Sequence, residues 1–231
     1  ANGSDSSKTA TANKKMDEVA PEIIGLEYQS ETKAEYAKYF KIYHYDQGIT
    51  LLEIDMNKKT GRKAAGKKWK EASEISGLNP AEQEQAALYL NKVIKYLIVP
   101  EGEEEPENLA DDIVVIQQPT ENIYMAATAS MSLFDAIGGI DKVKFSGLEA
   151  SGWYVESAKE AMESGAMTFA GKYSEPDYEM LIDEDCDLAI ESTMILHTPK
   201  VQEMIEDLDI PVFIDRSSYE SHPLGRTEWI K

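Results

Sequence analysis

Residues 187–215, DLAIESTMILHTPKVQEMIEDLDIPVFID, decide the fold. DLAIES and IPVFID are short, continuous apolar runs, which are typical of strands buried on both faces of a parallel sheet. Between them, PKVQEMIEDL has helical spacing, and Pro199 stands at the first helical position, which proline favours. A strand, a helix and a second strand in this order predict a β-α-β unit.

The same alternation is present upstream of this stretch. IVVI and KVKF predict two further strands, and ENIYMAATASMSLFDAIGG between them predicts a helix. The apolar residues that line one face of this predicted helix are Ile123, Ala127, Met131 and Phe134. DYEMLIDED predicts a short amphipathic helix before DLAIES. We therefore expect residues 111–231 to form an α/β, doubly wound (Rossmann-like) parallel sheet lobe.

Two other regions precede this lobe. Residues 1–33 are predicted to form a flexible N-terminal tail or tether, because the first fifteen are small and polar and cannot offset the entropy cost of ordering. Residues 34–110 are predicted to hold a β-hairpin around Asp46-Gln47-Gly48 and a helical insertion. The insertion includes a basic run at 58–70, interpreted as a solvated mobile segment, and AEQEQAALYLNKVIKYLIV (81–99), whose apolar residues have helical or mixed spacing.

Charge and cysteine content exclude several functions. The formal net charge of the 231 residues is −20, which disfavours nucleic acids and anionic membranes as partners because phosphates would be repelled. No apolar run approaches the roughly 18 residues that span a bilayer. Membrane contact is therefore expected only through a lipid anchor outside this chain. Cys186 is the single cysteine, which excludes a disulfide framework and a thiolate metal cluster.

The loops after the predicted strands are the expected ligand site, since ligands bind beyond the carboxyl ends of such sheets. These loops combine aromatic rings, hydroxyls, a guanidinium and carboxylates. The candidate ligand-binding residues are Trp153, Tyr154, Tyr173, Ser192, Thr193, Arg216, Ser217, Tyr219 and Glu220. Arg216 fits two roles: a clamp for a carboxylate or catecholate anion, or an ion-pair partner of Asp215 or Glu220.

Catalytic and metal-binding signals are weak. Ser192, His197, Ser217 and His222 are residue types of nucleophilic catalysis, but no Gly-x-Ser-x-Gly elbow is present. No glycine-rich phosphate loop follows the first predicted strand of the lobe. We expect no enzyme activity, no catalytic residue, no bound metal and no cofactor. A metal-ion-binding protein that uses His197 or His222 with carboxylates remains an alternative, and an enzyme on a similar sheet is another.

Residues 111–231 resemble the N-terminal lobe of the class III periplasmic binding proteins, which serve ABC importers of iron-siderophores and cobalamin. IVVIQQPTENIYMAATASMSLFDAIGGIDKVKFSG is similar to the opening strand–turn–helix–strand unit of that family. EPDYEMLIDEDCDLAIES resembles its Asn-Leu-Glu-x-Ile-x-x-Leu-x-Pro-Asp-Leu-Val pattern. IPVFIDRSSYESHPLGRTEWIK resembles the end of the lobe, before a helix crosses to a second lobe.

The resemblance implies an extracytoplasmic solute-binding protein, periplasmic or a cell-surface lipoprotein. It would deliver a siderophore, haem or corrinoid chelate to the membrane subunit of an ABC importer. Glu179 aligns with the glutamate that docks onto an arginine of that subunit, and Cys186 stands where the family usually has proline. The resemblance also implies that the crossing helix, begun at TEWIK, and the second lobe are absent here. A single lobe should then bind its ligand weakly, because half of the contacts are missing.

Overall fold

The computed structural model of the chain describes residues 15–57, 79–81 and 92–231. The described part is a mixed α/β structure in which two five-stranded sheets pack together with several helices. The predicted basic run at 58–70 lies outside the described residues, as do residues 82–91 of the segment 81–99. Within the described part, no helix is both long and apolar enough to cross a bilayer.

The first sheet, called here the N-terminal sheet, is mostly antiparallel. Its strands run in the order β1-β2-β3-β4-β5, and only β4 and β5 pair in parallel. They are β1 (Tyr28–Thr32), β2 (Phe40–Tyr45), β3 (Thr50–Asp55), β4 (Val93–Val99) and β5 (Ile113–Gln117). The hairpin predicted around residues 46–48 is confirmed as the β2–β3 connection. Its turn needs positive φ at Gln47 (57°) and Gly48 (73°), and glycine adopts that conformation without strain.

The second sheet, called here the parallel sheet, contains only parallel pairs. Its order is β12-β11-β6-β7-β8. The strands are β6 (Ile123–Met125), β7 (Val143–Ser146), β8 (Thr168–Phe169), β11 (Leu188–Ser192) and β12 (Val212–Asp215), and the small hairpin β9 (Gly171–Lys172) and β10 (Glu175–Pro176) stands apart. The predicted β-α-β unit in residues 187–215 and the parallel sheet are therefore confirmed.

Five α-helices are described beside these strands. They are α1 (Thr128–Ile137), α2 (Glu156–Glu163), α3 (Tyr178–Asp183), α4 (Pro199–Glu206) and α5 (Pro223–Thr227), and a 3-10 turn at Glu228–Ile230 follows α5. Helix α1 connects β6 to β7, α2 connects β7 to β8, and α4 connects β11 to β12. Pro199 opens α4 as predicted, and α3 is the short helix predicted from DYEMLIDED.

Two predicted elements were wrong in type. The helix predicted over ENIYMAATASMSLFDAIGG begins only at Thr128, because Ile123–Met125 forms the central strand β6 and is buried throughout. The apolar spacing from Ile123 to Phe134 fits one helical face only by coincidence, since a strand buried on both faces shows no alternation. Residues 93–99 of the predicted helical insertion form strand β4, again an apolar run that periodicity cannot separate from a buried helix.

The run IVVIQ is a strand as predicted, but it belongs to the N-terminal sheet instead of the parallel sheet. Tyr96, on the neighbouring strand β4, links the two sheets. Its fully buried hydroxyl donates to the Val212 carbonyl (3.1 Å) and accepts from the Ile214 N–H (3.0 Å). One apolar core thus runs from the N-terminal sheet into the parallel sheet.

Residues 15–33 of the predicted flexible tail are ordered, and residues 1–14 lie outside the described part of the chain. Residues 15–26 cover the outer face of the N-terminal sheet, where Ile23 is buried, and β1 lies within the predicted tail. The Asp17 N–H donates to the Glu53 carboxylate (2.9 Å), and the Asp17 carboxylate pairs with Lys95 (3.1 Å). Glu53 is fully buried and its other oxygen lies 3.6 Å from the Lys95 ammonium. The tail prediction therefore fails for residues 15–33, because a buried charge cluster fastens them.

This cluster predicts a pH-dependent stability. Burial and the neighbouring Asp17 raise the pKa of Glu53 to about 7, so the folded chain holds a proton that the unfolded chain releases near pH 4.5. The free energy of unfolding should therefore fall as pH rises from about 4.5 to about 7. Glu53→Gln should remove this part of the decline and stabilise the chain above pH 7 by roughly 1–3 kcal/mol relative to wild type.

Urea unfolding of both chains between pH 4 and pH 8 measures this difference. Glu163→Gln, a change at an exposed position on α2, is the matched control and should leave the pH profile unchanged. A Glu53→Gln profile parallel to that of wild type would contradict the assignment.

Candidate functional site

The carboxyl ends of the five parallel strands meet at one edge of the parallel sheet. We call the loops there the carboxyl edge: residues 126–127, 147–155, 170–177, 193–198 and 216–222. The chain runs outward from β6 through β7 to β8, and then returns to the other side of β6 as β11 and β12. The strand order thus reverses between β6 and β11, and a crevice at such a reversal is where open α/β sheets bind ligands.

Three large side chains are exposed on three different loops of the carboxyl edge. Tyr154 is 99% exposed, Met194 is 46% exposed and Tyr219 is 42% exposed. The Thr193 hydroxyl and the Tyr219 hydroxyl lie 2.6 Å apart and hydrogen-bond, so the loops after β11 and β12 are joined. Exposed aromatic and thioether groups beside a hydroxyl pair form a surface that can cover an apolar ligand and hydrogen-bond to its polar atoms.

Arg216 occupies neither of the roles considered from the sequence. It is 2% exposed, and its two terminal nitrogens donate to the carbonyls of Asp55 (2.6 Å) and Asn57 (3.1 Å). Its guanidinium lies over the Tyr39 ring (4.6 Å to the centroid) and the Tyr219 ring (5.1 Å). The guanidinium therefore joins the end of β3 to the carboxyl edge and holds Tyr219, while its terminal nitrogens are engaged with backbone.

Two further candidate residues are also part of the framework. Trp153, which precedes the exposed Tyr154, is buried. Its indole N–H donates to the Ser146 hydroxyl (2.8 Å), so its ring belongs to the core. Ser217 is buried, and its N–H and hydroxyl donate to the two carboxylate oxygens of Asp215 (2.9 and 3.0 Å). These contacts shape the loops after β7 and β12.

Glu220 is buried and accepts three hydrogen bonds. One carboxylate oxygen accepts the N–H groups of Lys38 (2.9 Å) and Tyr39 (3.0 Å) and the indole N–H of Trp229 (3.3 Å). Glu228, after α5, accepts from the preceding N–H groups of residues 35–37 at 2.7–2.9 Å. We call this arrangement the carboxylate clamp. It fixes the loop before β2 against the chain that follows β12.

The remaining candidates are partly accessible. The Ser192 hydroxyl accepts the Met194 N–H (3.3 Å) at the start of the 3-10 turn Thr193–His197, and its side chain is half-buried. Tyr173 is half-buried in the turn between β9 and β10. Of the nine residues predicted to bind ligand, the structure thus exposes Tyr154 and Tyr219 at the carboxyl edge, with Tyr173, Ser192 and Thr193 partly accessible. The other four are buried.

Sequence reasoning missed Glu191, which precedes Ser192 on β11. Its side chain is fully buried, and neither carboxylate oxygen has a hydrogen-bond partner within the described part of the chain. Burial raises the pKa of Glu191 well above its usual value. Burial is also the main cause that raises the pKa values of Tyr124 and Tyr178, and the nearby Glu191 carboxyl group adds to both. The only signal in the sequence is an acid inside an otherwise apolar strand. Glu191 is therefore a buried acid on the strand that pairs with β6, and its burial favours the neutral form.

The histidines lie in three separate elements. His44 on β2 hydrogen-bonds Thr32 (2.6 Å), His222 stacks on Tyr36, and His197 is half-buried at the end of a 3-10 turn. Across the described ranges, no group of three His, Cys, Asp or Glu side chains could hold a metal ion. No observation therefore favours the metal-binding alternative.

Glu179 is exposed in the first turn of α3. The helix begins at Asp177, whose carboxylate accepts the Met180 N–H (3.0 Å) and so caps the helix. Cys186, which follows α3, is buried, and burial raises the pKa of its thiol to about 12. Glu179 thus has a fixed backbone position and an exposed carboxylate.

Besides the carboxyl edge, an apolar groove of about 470 Å³ lies between the N-terminal sheet and α1. Leu52, Phe134, Ile137 and Ile230 are among its lining residues. Nothing in the structure shows what covers this groove.

The chain is similar to an uncharacterized lipoprotein of the archaeon Methanocaldococcus jannaschii. The two are 23% identical over 207 residues, which cover 83% of this chain and 45% of that protein. The chain thus spans about half the length of this curated relative. No protein-family profile and no solved structure matches the chain.

The position of Arg216 leads to a stability prediction. Arg216→Lys should lower the free energy of unfolding by about 2–3 kcal/mol, because an ammonium cannot stack between two rings while donating to two diverging carbonyls. Chemical denaturation at pH 7 measures the loss. Arg226→Lys, at an exposed position with one hydrogen bond to the Glu220 carbonyl, is the control and should cost far less. Equal losses for the two variants would show that the stacking and the two hydrogen bonds of Arg216 add no more to the free energy of unfolding than an exposed arginine does.

Proposed function

We propose that this chain is the ligand-binding lobe of an extracytoplasmic solute-binding protein that delivers a metal chelate to an ABC importer. The chelate would be an iron-siderophore, haem or a cobalamin-type molecule. One observation carries the proposal: Tyr154, Met194 and Tyr219 are exposed together on loops of the carboxyl edge. Large chelates present apolar and aromatic faces, and exposed rings of this kind cover them at a low entropy cost.

The fold supports this proposal as a doubly wound lobe. The strand order reverses between β6 and β11, as it does in doubly wound sheets. Ile190 on β11 lines the apolar groove together with Phe134 of α1. The neighbouring Glu191 lies close enough to Tyr178 of α3 to add to the effect of burial in raising the pKa of that tyrosine. Because successive strand residues point to opposite faces, α1 and α3 would cover opposite faces of the sheet.

The similarity to an archaeal lipoprotein supports an extracytoplasmic location, with a lipid as the membrane attachment. The relative is about twice as long as the part that this chain matches. A second lobe that completes the site would account for the greater length of the relative. It would also cover the side chains that are exposed at the carboxyl edge. This lobe alone should then bind a chelate more weakly than a two-lobed protein would.

Glu179 is the proposed contact with the importer. Its carboxylate is exposed, and an acidic chain with a net charge of −20 would be steered towards an electropositive membrane subunit. Docking by an exposed charge affects association more than it affects ligand affinity. The ligand site and the docking site should therefore be separable by substitution.

The experiment uses that separation. Tyr154→Ala should weaken binding of the chelates by roughly 5- to 30-fold in calorimetric titrations with ferric siderophores, haem and corrinoids, because a stacked ring is lost. Glu179→Gln should leave this affinity unchanged and lower uptake by cells that depend on the protein. Tyr28→Ala, an exposed tyrosine on β1 far in sequence from the edge, is the matched control.

Two results would oppose the proposal. If no chelate binds the wild-type chain at high concentration, the lobe does not bind this ligand class. If Tyr28→Ala weakens binding as much as Tyr154→Ala does, the ligand does not lie at the carboxyl edge.

A further inference from the structure

The carboxyl edge contains few cationic groups. All five of its loops lie in the described range 92–231, and within them Lys and Arg occur only as Lys172 and Arg216. Arg216 is buried and its terminal nitrogens donate to two carbonyls. Lys172 is exposed in the β9–β10 hairpin, where Glu175 is its partner in the strand register. The loops of the edge thus offer one exposed ammonium, that of Lys172, and no exposed guanidinium.

Carboxylates are more frequent on the same loops. Glu149, Glu175 and Asp177 are exposed there, and the chain as a whole carries a net charge of −20. Glu220 is the remaining acid of these loops, and it is buried against backbone N–H groups. Each unit charge of a bound anion would meet a repulsion of about 1 kcal/mol at 4 Å from an exposed carboxylate in water.

The groups that are accessible favour ligands without negative charge. The rings of Tyr154 and Tyr219 have electron-rich faces, which attract cations and tolerate neutral groups. The hydroxyls of Ser192, Thr193 and Ser218 can donate to or accept from neutral amide and hydroxamate oxygens. An anionic chelate with several charges would need a guanidinium clamp, and the Arg216 guanidinium is engaged elsewhere.

We propose that the carboxyl edge selects chelates that are neutral or net positive, such as tris-hydroxamate iron complexes or corrinoids, and disfavours polyanionic ones such as tris-catecholates. This inference rests on the proposed function and specifies the ligand class of that site. Selection acts through repulsion as much as through attraction, since specificity is a difference between two affinities.

A four-ligand titration tests the inference. Ferrioxamine B, which is net positive, and cyanocobalamin, which is neutral, are compared with ferric enterobactin, a trianion, and with haem, which carries two propionates. At low salt, at least one of the first two should bind the full chain ten or more times tighter than either anion. Added salt should reduce this difference in affinity, because it screens the exposed charges.

The outcomes separate the two proposals. Tighter binding of ferric enterobactin or haem would overturn the charge selection and leave the solute-binding function standing. If none of the four binds, the proposed function fails and the inference falls with it. A difference in affinity that does not change with salt would show that the shape of the chelate, and not its charge, determines selection. That result would also overturn the inference.

A charge variant gives an independent test on the same chain. Ser218→Lys places an ammonium beside Tyr219 at an exposed position of the carboxyl edge. It should raise the affinity for ferric enterobactin several-fold and lower that for ferrioxamine B. Ser164→Lys, at the exposed carboxyl end of α2, is the control and should change neither. Equal effects of the two lysines would show that the repulsion is not located at this edge.

Discussion

Five successive backbone N–H groups, those of residues 35–39, donate to only two carboxylates, Glu228 and Glu220. These carboxylates come from the last dozen residues, so the clamp joins the end of the chain to the N-terminal sheet. The three backbone bonds to Glu228 lower the pKa of its carboxyl to about 2, despite its partial burial. The Glu228 part of the clamp is therefore complete above about pH 4.5 and weakens as pH falls towards 2.

The clamp also sets the position of the candidate site. Glu220 directly follows Tyr219, and Tyr39, which donates to Glu220, also supplies one of the rings under Arg216. The other ring over Arg216 is that of Tyr219 itself. The N-terminal sheet is thus a support for the exposed tyrosine at the carboxyl edge. A residue of the loop before β2 should influence the site although it lies about 180 residues earlier in the chain.

The sequence allowed part of this structure to be predicted. DLAIES, PKVQEMIEDL and IPVFID have unambiguous patterns, because Pro199 and the β-branched residues separate helix from strand. Ile123–Met125 and Val93–Val99 were misassigned, since strands buried on both faces lack the alternation that identifies a strand. The membership of IVVIQ in the N-terminal sheet follows from its pairing with β4, a long-range contact that local patterns do not encode.

The candidate site was predicted at the level of loops but not of individual roles. Tyr154 and Tyr219 are exposed and Thr193 is partly accessible because their loops follow parallel strands, a property that the sequence does indicate. Arg216, Trp153 and Glu220 were predicted to bind ligand because of their chemical type. In the structure they form hydrogen bonds within the protein instead: Arg216 to carbonyls, Trp153 to a hydroxyl and Glu220 to N–H groups. For Glu191 the sequence shows only an acid inside an apolar strand, and its burial depends on neighbouring elements that this local pattern does not specify.

The location of the ligand is the central claim, and paramagnetic broadening of methyl groups tests it most directly. The full chain, labelled at methionine and isoleucine methyls, would be titrated with ferrioxamine B and with its diamagnetic gallium analogue. The iron complex should broaden the Met194 methyl at the carboxyl edge first and leave the methyls of Ile137, in the apolar groove, and Met204, exposed on α4, sharp. Selective broadening of Ile137, or equal broadening of all three, would contradict the claim.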